Sequence, residues 1–118
     1  MGDLGPMRVL EESLKGAPII WKGDYPYFIH PISDGIPRMD PEVLKAVSTL
    51  IVESTNWEGV DLIASVEAMG LPLLAAVGDA TGIPTVVIRK RSYGMEGEVA
   101  VDVSTGYSSS TIYINDVM

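Results

Sequence analysis

The chain has 118 residues, 16 acidic and 8 basic, a formal net charge of -8, 47% hydrophobic residues and no cysteine. That length holds one domain or part of one. The missing cysteines exclude a disulfide framework and a thiolate metal site, and the acidic balance excludes a duplex-DNA binder, which needs a basic face.

No run approaches the ~18 apolar residues of a membrane span. Residues 1–8 lack the basic-then-apolar order of a signal peptide, so the cytosol is the expected compartment. Residues 8–14 predict a short helix ended by Gly16 and Pro18, with Leu10 and Leu14 on its apolar face at i, i+4. Residues 17–31 are rich in aromatic and β-branched residues but broken by prolines. They read as short extended segments with turns, a flap outside any central sheet. His30 is the single histidine; it is a structural or surface residue or touches a ligand, and without ligand-spaced neighbours it is a poor metal candidate. Residues 33–37, Ser33-Asp34-Gly35-Ile36-Pro37, are turn chemistry.

Asp40 followed by Pro41 reads as an N-cap with proline at the first helical position. The helix should run to about Glu53, burying Val43, Leu44, Val47, Leu50 and Ile51. Trp57 should pack at its end. Residues 61–65 are short and apolar like a buried strand, and residues 71–80 are apolar and alanine-rich enough for a helix that stops at Gly82 and Pro84. Residues 85–88 read as a second buried strand. Strand, short loop, helix, strand is a βαβ unit, which requires a right-handed crossover and a parallel pair.

Ligands of open α/β sheets sit at the carboxyl ends of the strands. The loop Val66-Glu67-Ala68-Met69-Gly70 and the run Arg89-Lys90-Arg91 should therefore share one rim. Three of the chain's eight basic residues stand in that run. A phosphate-bearing ligand would use loop N–H groups at a helix start with cations opposite; the alternative is a solvated charge run. Residues 98–103 and 111–115 alternate with period two. They predict a two-stranded ribbon with a long polar tip over 104–110, either a lid over a site or an ordinary exposed hairpin.

Together, Val66-Glu67-Ala68-Met69-Gly70, Gly82-Ile83-Pro84, Val87-Ile88-Arg89-Lys90-Arg91-Ser92-Tyr93-Gly94 and Gly97-Glu98-Val99 resemble a type I phosphoribosyltransferase. The stretch from Lys22 to Pro37, with Thr105-Gly106-Tyr107-Ser108 and Tyr113-Ile114-Asn115, makes the chain similar to the archaeal hypoxanthine/guanine phosphoribosyltransferases. The resemblance runs from about Leu10 to Val117 and implies an α/β fold. That fold is the parallel-sheet core of such an enzyme, partial, without its C-terminal strands. Residues 1–37 would be the N-terminal helix and hood, 40–90 the α/β core and 91–115 the flexible ribbon.

The implied reaction moves ribose 5-phosphate from phosphoribosyl pyrophosphate (PRPP) to hypoxanthine or guanine, giving IMP or GMP and pyrophosphate, with Mg²⁺ brought by PRPP. By the resemblance, Glu67, Ala68, Met69 and Gly70 bind pyrophosphate through backbone groups, and Arg89, Lys90 and Arg91 neutralise it. Phe28 in the hood stacks on the purine or belongs to the core. Tyr107 is a loop candidate for reaching the substrate. No residue is expected to be a protein metal ligand. The family's acidic pair and Thr-Gly-Gly-Thr loop, which hold the ribose 5-phosphate, would follow the Tyr113-Ile114-Asn115 position and are expected to be missing. These 118 residues would then be a fragment, one half of a split enzyme completed by a second chain, or a non-catalytic nucleotide-binding or regulatory module. Alone they would be inactive, and they would pair as a homodimer or with a complementing chain.

Overall fold

A computed structural model describes residues 5–106 and 108–115 of the chain. The N-terminal helix α1 spans Pro6–Lys15. It starts two residues before the expected position, because a proline at the first helical position leaves no backbone N–H unpaired there. Its inward residue is Val9, while Leu14 is 45% exposed, so the buried stripe is one residue out of phase with the expected Leu10–Leu14 face. Packing of α1 against the later helix decides which side faces in.

Strands β1 (Ile19–Lys22) and β2 (Tyr25–Phe28) form an antiparallel hairpin with Lys22 opposite Tyr25. Gly23, at φ 63°, takes the first place of the two-residue loop, where a side chain would be strained. The hairpin forms a sheet of its own, which accommodates Pro26. Helix α2 (Pro31–Asp34) replaces part of the expected turn: Ser33 and Asp34 form its last turn, and Gly35 ends it.

Helix α3 (Pro41–Ser54) begins as its sequence dictates. One Asp40 carboxylate oxygen accepts from the Glu42 N–H at 2.9 Å and the Val43 N–H at 3.4 Å. Val43 and Ala46 are buried, and Leu44 and Val47 lie half-buried beside them. With Val9 and Ile32 they make one apolar cluster, against which Leu73 packs from the next helix. Burying one such aliphatic side chain fully is worth roughly 1.5–3 kcal/mol. Trp57 anchors the end of α3, its indole N–H donating to the Val52 carbonyl at 2.9 Å.

The βαβ unit is present: β3 (Ile63–Val66), α4 (Leu71–Thr81) and β4 (Thr85–Ile88), with β3 and β4 parallel and Val66 beside Ile88. Gly78 lets α4 approach the sheet, since a methyl group there would stand 2.6 Å from Thr85 Cγ2. Gly82, at φ 74°, closes α4, its N–H donating to the Gly78 carbonyl.

Strands β5 (Val99–Ser104) and β6 (Ser109–Ile114) pair antiparallel out to Ser104–Ser109. The ladder thus takes up Ser104, Ser109 and Ser110 from the two ends of the polar segment, and the tip is shorter than expected. The ribbon is not a free arm. Arg89, one residue past β4, exchanges both backbone hydrogen bonds with Tyr113, at 2.9 and 2.8 Å. This bridge ties β6 to the end of β4, while α4 packs on β3 and β4 and α3 packs on α4.

Candidate functional site

The rim is built where β3 and β4 end. The Glu67 N–H donates to the Ile88 carbonyl at 3.0 Å, carrying the parallel ladder one residue into the loop. The Glu67–Ala68 peptide is cis. The Ala68 carbonyl accepts from the Leu71 N–H at 3.2 Å, and the Gly70 carbonyl from the Leu74 N–H at 3.0 Å, which starts α4. Among the described residues, no hydrogen bond uses the N–H groups of Ala68, Met69 or Gly70. Successive free N–H groups at a helix start favour an anion. Gly70 is required sterically: a methyl group on it would overlap Ser65 Oγ and stand 3.0 Å from the Val66 carbonyl oxygen.

The basic run lies opposite this loop. Glu67 joins the two: one carboxylate oxygen accepts the Lys90 N–H at 2.7 Å, and the other pairs with Arg89 Nη2 at 3.1 Å. The Arg89 side chain is only 30% exposed, and its Nε is buried without a hydrogen-bond partner among the described residues. Lys90 and Arg91 are exposed. The Arg89 and Arg91 guanidinium groups both lie 5.4 Å from the centre of the Tyr93 ring. One aromatic ring thus gathers two like charges that would otherwise separate.

Glu98 holds that ring in place. Its carboxylate accepts the Ser92 hydroxyl at 2.6 Å and the Tyr93 N–H at 2.8 Å. These bonds, the Ser92 hydroxyl first, hold its pKa below the ordinary carboxylate value of 4.5. The sequence singled out Glu98 only within the Gly97-Glu98-Val99 resemblance, without a role, because its bonds to Ser92 and Tyr93 exist only once the loop between them has closed.

The hood hairpin reaches the same rim. The Tyr27 hydroxyl donates to Met69 Sδ at 2.8 Å and lies 3.4 Å from an Asp34 carboxylate oxygen. A methyl group on Gly106, in the ribbon tip, would meet the Tyr25 ring edge within 3.1 Å, so tip and hood are in contact.

The expected site residues now have places. Glu67, Ala68, Met69 and Gly70 and the run Arg89-Lys90-Arg91 are brought together, with the Glu67 side chain turned into the run. Phe28 is 51% exposed and meets His30 edge-on, its ring centre 6.2 Å away, so it is not a core residue. Tyr107 lies outside the described residues. His30 is structural: it is buried, and its Nδ1 accepts the Ile32 N–H at 3.2 Å. Ser13 donates its hydroxyl to the Leu10 carbonyl, so His30 Nε2, 2.9 Å from Ser13 Oγ, carries the proton and donates. Among the described residues there is no group of three His, Cys, Asp or Glu side chains placed to hold a metal ion.

No protein-family model matches the sequence. The chain is 52% identical over 110 residues to a hypoxanthine/guanine phosphoribosyltransferase of Methanococcus maripaludis, covering 93% of this chain and 59% of that protein. It is 49% identical over 111 residues to the protein of the same name from Methanohalophilus mahii, covering 94% and 58%. The chain thus spans about three fifths of the length of the curated relatives it matches. Among solved structures, adenine phosphoribosyltransferase from Saccharomyces cerevisiae superposes with a TM-score of 0.72 at 14% identity, over 95% of this chain and 66% of that one. The Thermoanaerobacter pseudethanolicus enzyme of the same name gives 0.69 at 22% identity, over 92% and 63%. Over its span the chain has the phosphoribosyltransferase fold, and its sequence resembles that of the archaeal hypoxanthine/guanine enzymes.

Proposed function

We propose that this chain is the N-terminal part of a hypoxanthine/guanine phosphoribosyltransferase and that its rim binds the pyrophosphate end of PRPP. The observation that carries the reading is the linkage of the two segments through Glu67: the loop whose 68–70 N–H groups are free starts at Glu67, and the Glu67 carboxylate accepts the Lys90 N–H and pairs with Arg89, the first residue of the basic run. In the proposed reaction the bond from sugar C1 to a pyrophosphate oxygen breaks, a bond from C1 to a purine nitrogen forms, and the proton that nitrogen carried is given up to the pyrophosphate or to solvent. Charge builds on the departing pyrophosphate while the sugar becomes positive, so amide donors and cations aimed at the leaving group lower the barrier. The ribbon, in contact with the hood at Gly106 and Tyr25, would limit water at the reacting sugar. Exposed Phe28 is available to stack on the base. Mg²⁺ would neutralise diphosphate oxygens and arrive with them, since the described residues offer no carboxylate cluster of their own.

The aligned span is 59% of the relative's length, so transfer is proposed for the full-length architecture and binding for these 118 residues. The exposed hairpin residues Ile19 and Trp21 support association with a second copy or a complementing chain. A cytoplasmic setting is proposed with this reading. Among the described residues no helix is long and apolar enough to cross a membrane.

Titration calorimetry with pyrophosphate and with PRPP tests the site. Lys90→Ala and Arg91→Ala should each weaken binding by about three- to tenfold and flatten its salt dependence. Unchanged affinity in both variants would remove the site assignment. Extending the chain to the relatives' length and assaying hypoxanthine- or guanine-dependent PRPP consumption tests the activity. Binding that persists without any turnover in the extended chain would instead support a nucleotide-sensing module.

A further inference from the structure

Glu67 contributes a negative charge inside a site otherwise built to attract anions. Its two carboxylate oxygens have different tasks: one fixes the backbone at Lys90, and the other pairs with the Arg89 guanidinium. The pair is largely shielded, with side-chain exposures of 20% for Glu67 and 30% for Arg89. Arg89 is further held by the Tyr93 ring and by its backbone exchange with Tyr113. It joins loop, strand end and ribbon root, and its charge is already matched.

We propose that Glu67 is a positioning residue and the resident counter-anion of the basic run, and that it sets pyrophosphate affinity by charge. It aims Arg89 while cancelling it, leaving Lys90 and Arg91 as the cations that an arriving diphosphate meets. The inference rests on the reading of the rim as a pyrophosphate site. The four side chains Glu67, Arg89, Lys90 and Arg91 sum to a formal +2, and neutralising Glu67 raises this to +3. Such a carboxylate keeps affinity below what the bare cations would give, which favours release of the product anion.

The test is titration of the full 118-residue chain with pyrophosphate at two salt concentrations. Glu67→Gln keeps an acceptor for the Lys90 N–H and removes the charge. The variant should bind pyrophosphate about two- to fivefold tighter at low salt, with a steeper salt dependence. A side chain that merely supports the loop would give equal or weaker binding. Circular dichroism checks that the fold is kept. Arg89→Met tests the same idea from the other side: it leaves the Glu67 charge uncancelled and should cost more affinity than Lys90→Ala.

A folded Glu67→Gln that binds no tighter than the parent overturns the inference and leaves the site reading standing. If that variant does not fold, an Arg89→Met loss equal to or smaller than that of Lys90→Ala overturns it. A parent chain that binds no pyrophosphate at all overturns both.

Discussion

Replacing Gly70 by alanine separates steric from conformational requirements in the anion loop. Gly70 sits at φ -80° and ψ -11°, a helical conformation that alanine prefers, so the backbone itself imposes no penalty. All of the cost comes from contact. The new methyl would overlap Ser65 Oγ and press on the Val66 carbonyl oxygen at 3.0 Å and Ser65 Cβ at 3.1 Å. The hydroxyl can escape only by giving up its present rotamer, and the strand backbone cannot move away. Inserting a methyl into so tight a contact costs about 1–3 kcal/mol. Relief of the same strain by moving the loop should displace the N–H groups of 68–70 and weaken pyrophosphate binding. Urea unfolding followed by tryptophan fluorescence measures the first effect and titration calorimetry the second. Ser65→Ala in the same chain removes the worst overlap and should recover part of the stability, leaving the contact with the Val66 carbonyl. Gly70→Ala with parental stability and affinity would refute the reasoning, as would a double variant no more stable than the single one.

Asp40→Ala deletes the N-cap of α3 and should lower unfolding stability by about 1 kcal/mol, read as a shifted urea midpoint with an unchanged slope. Asp40→Asn, which keeps an acceptor, should cost less. Glu98 gives a pH signature. Its folded pKa lies below 4.5, so the anchoring of 92–98 is fully present above the unfolded value and is lost as the pH falls through the lower, folded one. Amide exchange at Tyr93 should therefore accelerate on acidification below about pH 4.5, relative to exposed amides, and Glu98→Gln should abolish that dependence.

Much of the core was legible because its signals act within a few residues. Asp40 caps a helix two and three positions away, and Gly82 ends another by its own backbone conformation. The period-two pattern at 99–103 needs only its partner strand. From the βαβ order it followed that 66–70 and 89–91 share a rim, since parallel strands align their carboxyl ends. The phase of α1 was misread because Val9 and Leu14 are equally apolar, and only the position of α3 decides which one is buried. The ribbon tip was drawn too long because ladder hydrogen bonds come from the backbone, so Ser104, Ser109 and Ser110 join the pairing once β5 has set the register.

The sequence by itself did not determine the short helix α2, which stands where a turn was expected, but it did determine α1, α3 and α4, the parallel unit, the ribbon and the sharing of one rim by the loop and the basic run. Only the tertiary structure decided how that site is wired. Glu67 takes up Arg89 and the Lys90 N–H, Tyr27 reaches Met69, and the ribbon root pairs with Arg89. The physical reason is distance along the chain: Glu67 and Lys90 are 23 residues apart and Tyr27 and Met69 are 42 apart. No local propensity spans such separations, so those partnerships exist only once β3, β4 and the hood have been folded onto one rim.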